Sequence, residues 1–222
     1  MIRRDYIIRM IEEFTQALAR IRGLKNDQRL GEADTLTEEE FKRVTGLDSN
    51  SVLHLSETEL LAKLIQTDSG QGVREKMLML TTLLKETGDM AVSQDHFENG
   101  RACYLKGLHL LLDSLARGEI YELPEFVPKV EEFVLALADC ELPLTTRLLL
   151  MEYYERTGQF AKAEDALYAI LEAEPGNLPA VEFGISFYER LQRQSDIRLE
   201  EGNLPRSEVE AGLKELSARK AA

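Results

Sequence analysis

The chain has 222 residues, 44% of them hydrophobic and 30% charged, enough to bury a core of one or two domains without disulfides or a metal. Forty acids against 27 bases leave a formal net charge of −13; such a surface repels phosphate backbones and anionic lipid, which argues against nucleic-acid or membrane-surface binding. Cys103 and Cys140, and His54, His96 and His109, form no zinc, thiol-redox or haem motif, so no metal or cofactor is expected.

The first segment, residues 2 to 22, is expected to be an amphipathic helix. Ile7, Ile11, Phe14, Leu18 and Ile21 recur at spacings of four and three, Ile2, Tyr6 and Met10 widen the stripe, and Gly23 is expected to cap it. Through Lys25 this arm holds six bases and three acids, so a positive arm of +3 precedes a body of −16. An apolar stripe of this width needs a cover. The reading favours pairing with a second copy through Ile7, Ile11, Phe14, Leu18 and Ile21, a homodimer; docking on the chain's own acidic surface, or cover by residues 24 to 72, is the other solution. Arg9, Glu12 and Glu13 interrupt any resemblance of the start to an export signal, and no run approaches a membrane span. With cysteines that read as buried and reduced, the cytoplasm is the expected compartment.

Residues 24 to 72 read as short capped helices. Thr37 with Glu40 forms a capping-box pattern opening a helix that ends at Gly46. Ser56 with Glu59 repeats it before Leu60, Leu61, Leu64 and Ile65, and Thr67 to Gly72 reads as a linker. A DNA-binding helix-turn-helix is disfavoured, because residues 26 to 80 hold eleven acids and six bases. Two domains are therefore expected: an N-terminal section over 1–72 and a helical repeat region over 73–222.

From Val73 the helices lengthen and pair, with breaks at Pro124, Pro143 and the Pro175–Pro179 tract; one helix is expected over 124 to 139, and a last one after Pro205 turns Val209, Leu213 and Leu216 inward. The 34 residues from Leu144 to Asn177 show a helix–turn–helix pattern. Leu150, Met151 and Tyr154 lie in the first helix, Thr157 to Phe160 in the turn, Ala163 at the helix crossing, Leu167 and Ile170 in the second helix, and Pro175 closes the unit. This segment resembles a tetratricopeptide repeat, departing from it at Arg147 and Met151. A second unit, Thr81 to Ser114, carries Gly88, Ala91, Gly100, Tyr104 and Gly107. A third starts at Leu178 with Val181, Gly184, Ile185 and Tyr188, then leaves the pattern. The starts at 81 and 144 are 63 residues apart, five short of two repeats. An all-α fold is expected: a short irregular tetratricopeptide-like α-solenoid behind an N-terminal amphipathic helix and a small helical section. The helix order also resembles a bacterial family of uncharacterised tetratricopeptide-like proteins, which implies a fold and no activity.

The sequence carries no phosphate loop, dinucleotide fingerprint, zinc-protease motif or nucleophile elbow. A non-enzymatic module binding a protein or peptide is therefore expected. The resemblance implies a concave face built from each first helix. By position that face holds Thr82, Lys85, Asp89, Val92 and Ser93; then Thr145, Leu148, Glu152, Glu155 and Arg156; then Glu182, Ser186, Glu189 and Arg190. The family's carboxylate-gripping places fall on Lys85, Asp89, Leu148 and Glu152. Three of these do not match the lysine and asparagine used there, and the acids favour a cationic or mixed-charge segment. Alternatives are a structural self-association protein and a helical enzyme or small-ligand receptor; the last is distinguished by a convergent pocket with a perturbed acid or histidine.

Overall fold

A computed structural model describes residues 2–68, 70–118 and 123–221, with side chains from residue 5 onward. Ser69 of the tract read as a linker, and the Ile2 side chain, lie outside the described residues. The described residues form helices and no strand, in two compact units, Met1–Glu141 and Leu142–Ala222.

Unit 1 contains α1 (Ile2–Asn26), α2 (Leu30–Thr45), α3 (Ser49–His54), α4 (Glu57–Thr67), α5 (Gly70–Ser93), α6 (Phe97–Ala116) and α7 (Val130–Ala136). Helix α5 is its centre, packed on α1, α2, α4 and α6. Its residues from Val73 to Leu84 are buried almost without interruption, the pattern of a helix enclosed on all sides. Thr81 and Thr82 are tolerated there because each hydroxyl donates to the carbonyl four residues back, on Met77 and Leu78.

The stripe of α1 is spent inside this unit. Phe14 and Ile21 are fully buried, Ile7, Met10 and Leu18 nearly so, and Ile11 partly. Phe14 meets Phe126 edge-on, ring centroids 5.2 Å apart, and α1 packs on α2 and α5 of its own chain. The surface that pairing with a second copy requires is thus occupied within the chain, which corrects the self-association reading of Ile7, Ile11, Phe14, Leu18 and Ile21. Nor does α1 stop at Gly23. It runs to Asn26, because Arg22 and Lys25 in its last turns are tied to Glu86, the former at 2.6 Å.

Three punctuation readings resolve differently. Thr37 caps nothing: it sits buried inside α2, its hydroxyl donating to the Ala33 carbonyl at 2.7 Å, while Glu40 pairs with Arg43. Gly46, in the left-handed region at φ 74°, ends α2 as expected, and Ser56 with Glu59 forms the full capping box of α4. The tract from 67 to 72 is not a linker between domains. Asp68 caps α4 and pairs with Lys76 at 2.6 Å, and α5 starts at Gly70. The helices of the first 72 residues therefore share one core with α5 and α6, and the compact units divide at 141/142 rather than at the expected 72/73. The helix expected over 124 to 139 is shorter, residues 130 to 136, with Phe133 packed against Gly107 where a Cβ would come within 2.7 Å of its ring.

Unit 2 contains α8 (Leu144–Arg156), α9 (Phe160–Ala173), α10 (Leu178–Leu191), α11 (Asp196–Glu201) and α12 (Arg206–Ala221). Helices α8 and α9 form one pair, with Ala163, Leu167 and Ile170 buried and Tyr154 packed beside them. Helix α10 pairs with α12. Small residues let these helices approach: Gly212 faces the Tyr188 ring, and a Cβ on Gly184 would lie 2.5 Å from Leu216. Of the three residues the last helix was expected to turn inward, Val209 and Leu216 are fully buried and Leu213 only partly.

Candidate interaction faces

The expected face divides between the units. In unit 1, Lys85 and Asp89 do not form an open groove. Lys85 donates to Asp89 at 2.6 Å and lies 5.3 Å from the Tyr104 ring centroid. The Tyr104 hydroxyl donates to the same carboxylate at 2.8 Å, and Lys25 of α1 approaches it at 3.3 Å. Burial raises the Asp89 carboxyl, but Lys85, Lys25 and Tyr104 outweigh it and leave the group below its ordinary value. Thr82, expected on the face, is fully buried. The basic end of α1 thus covers the acidic side of α5. Lys85 and Asp89, expected as groove residues, are thus bonded to one another and to Tyr104 and Lys25 of the same chain.

In unit 2 the first helices of the pairs, α8 and α10, do border an open cleft. It holds about 370 Å³ and is walled by Leu144, Leu148 and Leu149 of α8, Ile170 of α9, and Pro179 and Phe183 of α10. Among the described residues Glu152 is its one ionisable lining residue, exposed at the rim. Asn177 closes the end, with its side-chain oxygen accepting from the Ala180 amide at 3.1 Å to cap α10. Next to the cleft, Arg190 grips Glu155 with two hydrogen bonds at 2.7 and 2.8 Å. That bond holds the Arg190 guanidinium above its ordinary value, with the charge of Glu152 adding to the effect. Glu155 and Arg190 therefore satisfy one another. Of the remaining acids, Glu182 pairs with Lys220 at 2.8 Å, while Glu189 is exposed. Arg156, Thr145 and Ser186 also lie on exposed faces of α8 and α10.

The pattern reading found Leu148 and Glu152 but missed Leu144, Leu149, Pro179 and Phe183. Apolar residues near a helix start read as core, and their meeting across α8 and α10 depends on how the pairs stack. Among the described residues no group of three or more His, Cys, Asp or Glu side chains is placed to hold a metal. No helix of the described residues is long and apolar enough to cross a membrane. A family model described as a family of unknown function, DUF6483, matches residues 1–221, and the chain belongs to that family. It matches no curated protein and no solved structure.

Proposed function

We propose that the chain is a non-catalytic interaction module, a short tetratricopeptide-like solenoid, that captures a protein or peptide segment in the cleft between α8 and α10. The observation that carries this reading is an apolar cleft of about 370 Å³ with a single carboxylate, Glu152, at its rim. An apolar side chain of the segment fills the space between Leu148 and Phe183, and a lysine or arginine beside it meets Glu152. Unit 2, with fourteen acids against ten bases, adds a field of the same sign. The cytoplasm, as a reducing compartment, suits free thiols at Cys103 and Cys140.

Selection from a random peptide library tests it. Selected peptides should combine an aliphatic or aromatic residue with a nearby Lys or Arg. They should release from a Leu148→Asp variant and weaken as salt rises. Peptides without basic residues, or ones that bind Leu148→Asp equally well, would remove the cleft as the site.

A further inference from the structure

Within unit 1 a second cavity, of about 490 Å³, opens between α2, α3, α5 and α6. Its lining is unlike that of the cleft in unit 2. The exposed polar residues Asp34, Asn50, Gln94, His96 and Asn99 line it, and Cys103, 2% exposed, lies at its buried side. No lysine or arginine among the described residues lines it. Glu38, one turn along α2 from Asp34, adds a second negative charge and accepts from the Ser49 amide at 3.2 Å. The Asp34 carboxylate itself has no hydrogen bond or ion pair among the described residues, and burial with the nearby Glu38 charge raises it above its ordinary value. A nearby cation would remove that penalty.

We propose that this cavity binds a small hydrophilic organic cation, an amine carrying hydroxyl or amide groups, whose ammonium meets Asp34 and whose polar substituents meet Asn50, Gln94 and Asn99. The volume lies within the range of small-ligand sites. It is far larger than a metal ion needs, and one carboxylate among neutral amides is a poor set for a hard divalent cation. The sign of the field excludes an anion. Three carboxamides supply both donors and acceptors, which suits a hydroxylated ligand and not an alkyl one. The charge-assisted contact to Asp34 supplies selectivity over uncharged analogues.

Glucamine and its uncharged counterpart sorbitol test this on the full chain, by following backbone amide resonances during titration. Glucamine should shift Ser49, Asn50, His96 and Asn99, and sorbitol should leave them in place. Asp34→Asn, close to isosteric, should weaken glucamine binding by about tenfold or more. Gly31 lines the cavity and a Cβ there meets nothing within 4 Å, so Gly31→Leu adds bulk to the lining from an open position. It should abolish binding while the helical spectrum and melting temperature hold. Leu148→Asp, in the other unit, should leave glucamine binding intact. Absence of any glucamine shift, equal shifts with sorbitol, or unchanged binding in both variants would overturn the proposal.

Discussion

Tyr188 and Gly212 show how much one missing methyl group decides. Tyr188 is fully buried, its hydroxyl donates to Glu164 at 2.5 Å, and its ring lies where a Cβ of residue 212 would stand. Burial and the Glu164 carboxylate hold the Tyr188 hydroxyl well above its ordinary value. Gly212→Ala should cost about 1–3 kcal/mol in urea unfolding, since an inserted methyl must displace a packed ring. Gly31→Ala, in an open helix position, should be neutral or stabilising by up to about 1 kcal/mol. Equal effects would refute this account of the two glycines. The cysteines divide in the same way. Cys103 is buried, and desolvation pushes its thiol up to about 11, whereas Cys140 is only half-buried. Iodoacetamide at mildly alkaline pH should label Cys140 in the native protein and reach Cys103 only after unfolding. Labelling of both at one rate would contradict the burial of Cys103.

At the scale of elements, α1 is the instructive case. Its stripe was legible because a spacing of three and four is a local property of the chain. What covers the stripe is not local: Arg22 and Lys25 meet Glu86 across 64 and 61 positions, and no pattern within α1 names that partner. The same limit explains the misplaced caps. Thr37 with Glu40 and Ser56 with Glu59 have one spelling, yet only the second begins a helix. Thr37 is held inside by the run of Ala33, Phe41 and Val44, which buries the α2 face on both sides of it. Tertiary burial overrode the cap preference. The core role of α1 also gives a measurement. Phe14→Ala should cost about 3–5 kcal/mol by leaving a cavity beside Phe126. The unfolding midpoint should not depend on protein concentration, because the lost contacts are within one chain. A midpoint that rises with concentration would return the stripe to an interface between copies.

At the scale of the whole molecule, charge and site readings separate. The acidic balance was fixed by composition, but which acids remain open to a partner was not, since that depends on ion pairs between helices. Polar residues around the unit 1 cavity, from Asp34 to Asn99, each look like solvated surface in one dimension and converge only when α2, α3, α5 and α6 pack. In unit 2 the two acids one turn apart on α8, Glu152 and Glu155, look alike in sequence and differ in the fold. Glu155 is 19% exposed at its side chain and held by two hydrogen bonds to Arg190, and Glu152, at the rim of the cleft, has no such bond among the described residues. Glu155→Lys should therefore set two cations against each other and cost about 1–2 kcal/mol of stability after solvent screening. Glu152→Lys should leave the melting temperature nearly unchanged and abolish capture of basic peptides. The wild-type interaction should weaken between low and physiological salt, because exposed charges are screened beyond about 10 Å at 0.1 M. Thermal melts and peptide titrations on the two single variants decide the matter. If Glu152→Lys destabilises the fold as much as Glu155→Lys, or binds basic peptides as the wild type does, Glu152 is a structural surface residue and the cleft needs another explanation.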